Sequence, residues 1–97
     1  MQTNTESLVH AEGDLVAAKL PSLRSRLREL AASGVQHLTI DLTNTQMVDS
    51  AGIGLLISAH NSMKKAGGEL TLIHASRDIL SLLQTMRINQ HFSVSGS

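Results

Sequence analysis

The chain has no cysteine, tryptophan or tyrosine, one proline and one phenylalanine in 97 residues. Without cysteine there are no disulfides, no thiolate nucleophile and no Cys-based zinc site, and a reducing compartment suits the chain. A single aromatic ring, Phe92, leaves almost nothing on which bases or sugars could stack. Charge of one sign is also missing. Eight Lys+Arg balance eight Asp+Glu, for a formal net charge of +0, and there is no basic cluster, which argues against nucleic-acid binding. No apolar run approaches the roughly 18 residues of a membrane span, so no membrane insertion is expected. Residues 1–7 place no cationic stretch before an apolar one, so no signal peptide is read there. What remains is an aliphatic chain long enough to bury roughly two thirds of its unfolded surface without a metal or a disulfide. The expectation is one cytoplasmic domain over residues 7–94, with flexible termini at 1–6 and 95–97.

Strand-like and helix-like segments alternate between those ends. Ser7 to Glu12, with Leu8 and Val9, reads as a first strand, interrupted by Gly13-Asp14. Pro21 suits the first turn of a helix, where its missing N–H costs nothing. Leu20, Leu23, Leu27, Leu30 and Ala31 recur at helical spacing, and Ser33-Gly34 closes that helix. His37 to Leu42 alternates as a strand, with Leu38, Ile40 and Leu42 on one face. Ala51 to Lys65 is a second helix, with Ile53, Leu56, Ile57, His60 and Met63 or Lys64 as its buried stripe and Leu55 and Ala59 widening the apolar arc. Glu69 to His74 is the next strand. Ser76 caps a third helix whose inner stripe is Ile79, Leu82, Leu83 and Met86, and His91 to Val94 forms a last short strand. Alternation on this scale predicts an α/β fold: a small mixed sheet of four or five strands, with parallel pairs joined by crossover helices packed on it.

The informative stretch is Met47-Val-Asp-Ser-Ala-Gly-Ile-Gly54, where a loop becomes a helix. Asp49 and Ser50 both carry an oxygen able to accept from the first free amides. Two glycines in a first turn cost roughly 1 kcal/mol each relative to alanine. Close backbone approach by another surface is the compensation expected at Gly52 and Gly54. Two readings stand side by side: a helix cap packed tightly on the sheet, or a regulated serine. A phosphate on Ser50 would sit at a helix N-terminus, where free N–H groups and the macrodipole favour negative charge, and would bring roughly −1.5 to −2 charges.

Leu38-Thr-Ile-Asp-Leu42, the run from Met47 to Leu56, and Gly67-Gly-Glu-Leu-Thr-Leu-Ile73 together resemble the STAS domain, and in particular the bacterial anti-sigma factor antagonists. The most specific piece is Asp-Ser-x-Gly-hydrophobic-Gly at 49–54, in its place after an aliphatic strand. The resemblance implies helices packed on one side of the sheet and a phosphorylated serine directly after the Asp, at Ser50. It also implies an unphosphorylated form that binds a serine-kinase anti-sigma factor, and a PP2C-type phosphatase that restores this form. Such a domain is a protein ligand and phosphoacceptor, not an enzyme, and holds no cofactor or metal of its own. Asp49, Ser50, Ala51, Gly52, Ile53, Gly54 and Leu55 are the partner-binding residues it points to. Many antagonists have a second Ser or Thr where Ala51 stands, so Ser50 is the one hydroxyl within the motif. Members often carry an extra strand before the segment matching Leu8-Val9, and Met1 to Glu6 is short and polar for that purpose. A second functional class keeps the same motif: a constitutive subunit of a signalling scaffold, chemotaxis-like pathway or lipid-transport complex, in which Ser50 only caps.

Other chemistry finds little support. His10, His37, His60, His74 and His91 show no metal-ligand spacing and read as scattered structural or surface residues. There is no G-x-S-x-G elbow for a hydrolytic serine and no P-loop. A phosphoacceptor aspartate at Asp41 or Asp49 would need a magnesium-binding cluster of acids and a partner lysine; the N-terminal acid pair is absent, and Asp41 alternates away from the Leu38, Ile40 and Leu42 face. Arg77 and Arg87 read as solvated helix ends.

Overall fold

The computed structural model describes residues 6–86 and the backbone of residues 93–96. Strand β1 (Glu6–His10) leads through a short 3-10 turn (Ala17–Lys19) into helix α1 (Leu20–Ala32). Then come β2 (His37–Asp41), α2 (Ser50–Lys65), β3 (Glu69–Ala75), α3 (Arg77–Thr85) and β4 (Ser93–Gly96). The sheet order is β1-β2-β3-β4, and among the described residues every strand pairing is parallel. Each neighbouring pair is therefore joined by a helix, as the alternation predicts. Right-handed crossovers between sequential neighbours deliver their helices to the same face of a sheet.

Burial follows the register. Ser7, Leu38 and Leu70 form one cross-strand row, and Val9, Ile40 and Leu72 the next. All but the half-buried Ser7 belong to the core, with Leu42, Leu56, Met63, Ile79 and Leu83 packed above them. Each aliphatic side chain fully withdrawn from water contributes about 1.5–3 kcal/mol. On the opposite face the rows are Glu6, His37, Glu69; Leu8, Thr39, Thr71; and His10, Asp41, Ile73. That face is largely open, and Leu8 is 51% exposed.

Helix ends fall near the expected residues. Pro21 stands in the first turn of α1, and Gly34 follows the C-cap with φ 93. Ser76 caps α3 by accepting from the Ile79 N–H at 3.2 Å. Three expectations need correction. Met86 lies one residue past α3 as its C-cap, so it leaves the apolar stripe and is 49% exposed. The last strand runs Ser93–Gly96, two residues into the stretch read as a loose tail, while His91 and Phe92 lie outside the described residues. Glu6 already belongs to β1, and residues 1–5 also lie outside the description.

Candidate functional site

Two loops leave the carboxyl ends of β1 and β2 and are stitched together. The Thr45 hydroxyl donates to the Gly13 carbonyl at 2.8 Å. Asp14 Oδ1 accepts from the N–H groups of Gln46 and Met47, at 2.9 and 3.1 Å. The Leu15 N–H donates to the Met47 carbonyl (2.9 Å) and the Asp49 N–H to the Leu15 carbonyl (3.1 Å), making a parallel bridge between Leu15 and Val48. Leu15 and Val48 are both core residues, so the stitched loops have an apolar anchor. Carboxyl ends of strands are where open parallel sheets present their ligand-binding surfaces.

Asp49 completes this platform. Its Oδ1 accepts from the Gly52 N–H at 2.9 Å and caps α2. Its Oδ2 accepts from the Ala17 N–H at 3.1 Å, at the start of the 3-10 turn, whose own N-cap residue Val16 offers no side-chain oxygen. One carboxylate thus serves two helix starts. The hydrogen bonds from Gly52 and then Ala17 hold its pKa below the ordinary carboxylate value. Each Asp49 oxygen therefore has a backbone donor, and the carboxylate holds the loop and both helix starts in place.

Ser50 is the first residue of α2 and is exposed. Because Asp49 occupies the cap, the Ser50 hydroxyl makes no hydrogen bond to any described residue. The two glycines part company. A Cβ on Gly52 would lie 2.1 Å from the Leu15 carbonyl oxygen and 2.9 Å from Val48 Cγ1. The close approach at Gly52 is therefore internal: the loop after β1 crosses over it, and no partner can reach it. At Gly54 a Cβ would meet nothing within 4 Å, and the residue is exposed.

The expected contact skin also changes. Ile53 and Leu55 are each 5% exposed and belong to the core, and Ala51 is half-buried. The exposed apolar side chains beside Ser50 are Met47, at 59%, and Ile57, at 39%. The apolar spacing places Ile57 in the buried stripe, and the structure turns it outward. The signal was available in the spacing: Ser50, Gly54, Ile57 and Asn61 recur at i, i+4, i+7, i+11, one helical face with a single large apolar residue.

A second cluster was not foreseen. Read along the chain, the histidines are scattered, but adjacent strand ends bring two of them to one carboxylate. Asp41 Oδ2 lies 3.2 Å from His10 Nδ1, and Asp41 Oδ1 lies 3.1 Å from His74 Nδ1. Oδ1 also accepts from the Thr43 hydroxyl and from the Thr43 N–H at 2.9 Å. These Thr43 bonds, with His74, lower the Asp41 pKa to about 2. His74 holds φ 56, in the left-handed region uncommon for a residue with a side chain. Elsewhere His37 faces Glu69 at 3.5 Å and His60 is buried on α2, while His91 lies outside the described residues. Among the described residues no group of three or more acidic or histidine side chains is arranged to hold a metal ion.

The STAS domain family model matches residues 1–97. The chain belongs to the STAS domain family. The anti-sigma-B factor antagonist of Bacillus subtilis is 28% identical over 94 residues, covering 97% of this chain and 85% of that protein. Among solved structures, the Thermotoga maritima protein TM1081 superposes with a TM-score of 0.89 at 11% identity, over 98% of this chain and 82% of that one. The Bacillus cell fate determinant SpoIIAA in its phosphorylated form superposes with a TM-score of 0.74 at 16% identity, over 97% and 86%. These two structures share the fold of this STAS domain. No helix among the described residues is long and apolar enough to cross a membrane.

Proposed function

We propose that this STAS domain is an anti-sigma factor antagonist-type switch. With Ser50 unmodified it docks on a serine-kinase anti-sigma factor in the cytoplasm, and phosphorylation of Ser50 releases it. The kinase supplies ATP and magnesium. The Ser50 oxygen attacks the γ-phosphorus, ADP leaves, and the hydroxyl proton passes to a base on the kinase. A PP2C-type phosphatase hydrolyses the phosphoester and resets the switch. This chain itself catalyses nothing.

The observation that carries this reading is the Ser50 hydroxyl: exposed, without a hydrogen-bond partner among the described residues, at the first position of a helix already capped by Asp49. A serine needed only as a cap would be bonded to the first-turn amides, and this one is not. Antagonist names among the relatives, and a relative solved in a phosphorylated form, support the same reading. Met47, Gly54 and Ile57 supply the docking skin around the hydroxyl. A hundredfold loss of affinity needs about 2.7 kcal/mol, and one like-charge juxtaposition in an interface costs several.

The test is phosphoacceptor mapping by intact mass. Wild type incubated with ATP and a cognate serine-kinase anti-sigma factor should gain one phosphate, and Ser50→Ala should gain none. A wild type that stays unmodified, or a Ser50→Ala variant modified equally well, overturns the assignment and favours a constitutive subunit.

A further inference from the structure

We infer that the groove between α1 and α2 is a docking site for an acidic, leucine-bearing helix of a partner protein, separate from the Ser50 face. The groove has a volume of about 190 Å³. Its floor is apolar: Leu27, Leu38, Leu55, Ala59 and Met63. Arg24 and Arg28 stand on one wall, and Ser58 and Ser62 on the other. Both pairs are spaced i, i+4, so each forms one ridge along its helix.

Charge selects the occupant. Five of the chain's cations, Arg24, Arg26, Arg28, Lys64 and Lys65, lie on α1 and α2, and α2 contains no acidic residue at all. The one acid of α1, Glu29, follows Arg28 by a single position, which turns it away from the ridge of Arg24 and Arg28. No carboxylate among the described residues pairs with any of these cations. Of these cations Arg24 and Arg28 line the groove itself, one helical turn apart on α1.

Size narrows the choice further. Sites for small molecules usually span about 300–1,000 Å³, and this groove is smaller and open along its length. It suits one or two aliphatic side chains with carboxylates on either side. A helix carrying Leu at i and i+4, flanked by Glu, meets those demands: Leu on the apolar floor, Glu opposite the arginines and the serine hydroxyls. An anionic membrane fits less well, because the groove is a narrow slot between two helices rather than an exposed apolar surface.

The groove also sits apart from the switch. Ser58 lies eight residues beyond Ser50, about 12 Å along the helix axis. The Debye length at physiological ionic strength is about 8 Å, so charge added at Ser50 is largely screened at the Ser58 and Ser62 wall. Groove binding should therefore survive a phosphomimetic that abolishes docking at Ser50.

The experiment uses a labelled amphipathic peptide, a 14-residue helix with Leu at i, i+4 and i+7 flanked by Glu, titrated against the full chain by fluorescence anisotropy. Its controls are the same peptide with Lys for every Glu, and phosphatidylserine vesicles. Expected results are saturable binding of the acidic peptide only, a fall of tenfold or more in Arg24→Glu/Arg28→Glu, and affinity within twofold of wild type in Ser50→Asp. Backbone amide shifts in the NMR spectrum should change at Arg24, Arg28, Ser58 and Ser62, and hydrogen exchange should show the double variant folded. The proposal is overturned if the acidic and basic peptides bind alike, if the charge-reversed variant binds as well as wild type, or if vesicles bind and the peptide does not. A loss of peptide binding in Ser50→Asp would place the peptide on the switch face and equally overturn a separate groove.

Discussion

Gly52 and Gly54 stand two residues apart on α2 and answer to different constraints. At Gly52 a methyl group would drive into the Leu15 carbonyl, a backbone atom fixed by its hydrogen bond from the Asp49 N–H. Gly52→Ala is expected to destabilise the domain by about 1–3 kcal/mol, the usual cost of overpacking. At Gly54 the same methyl enters open space on a regular helix. Gly54→Ala is expected to stabilise by about 0.5–1 kcal/mol because glycine loses more backbone entropy on folding than alanine, while adding bulk to the proposed docking face. Urea denaturation of both variants checks the pair of signs, and two effects of the same sign would refute the assignment of one glycine to the core and one to the surface. Ser50 belongs to the same comparison. The sequence makes Asp49 and Ser50 equal candidates for the cap, and the structure gives the bond to Asp49. Ser50→Ala therefore removes no hydrogen bond, and its stability should stay within about 0.5 kcal/mol of wild type. This makes it a clean variant for the phosphorylation assay.

The ends of β1, β2 and β3 meet at Asp41, which accepts from Thr43 and lies against His74 and His10. Its carboxyl is lowered from 3.8 to about 2, first by the Thr43 hydroxyl, then by the Thr43 N–H, and less by His74. Between those two pH values the unfolded chain holds a proton that the folded chain does not, so stability rises with pH across the window. The contribution is complete above the unfolded value and is lost as pH falls through about 2. Asp41→Asn should flatten this part of the profile, leaving the smaller slope from Asp49, whose pKa is also lowered. Urea midpoints measured at several pH values from 2 upward would test it, and an unchanged slope would show that Asp41 is not the responsible group. The strands themselves were legible because a half-buried strand writes its face into the sequence at period two. The cluster was not, because register between strands joins residues more than thirty positions apart. Helix faces were read less well. One helix's periodicity cannot show that α1 packs against α2 and takes Leu55 and Ala59 into the core, rotating Ile57 toward solvent.

For the whole molecule, the question is whether the proposed phosphorylation of Ser50 must travel through the fold. The residue sits on a platform already complete without it: Asp49 caps α2 and holds the 3-10 turn, Asp14 and Thr45 lock the two loops, and the Leu15–Val48 bridge ties them to the core. Negative charge at a helix N-terminus is tolerated or favoured by the unpaired amides there, by about 0.3–1 kcal/mol at exposed positions. The motif at 49–54 was readable because capping and small-residue chemistry are local, whereas the rigidity behind it depends on the loop after β1, which no local pattern announces. On the proposed reading, phosphorylation alters the surface and leaves the interior alone. Ser50→Asp should accordingly keep the thermal midpoint and hydrogen-exchange protection of wild type while binding to the proposed anti-sigma factor partner weakens by about a hundredfold, or about 2.7 kcal/mol. If the variant instead loses protection in the loops at 11–16 and 42–49 in step with its affinity, release works by loosening the platform, and the electrostatic account gives way to a conformational one.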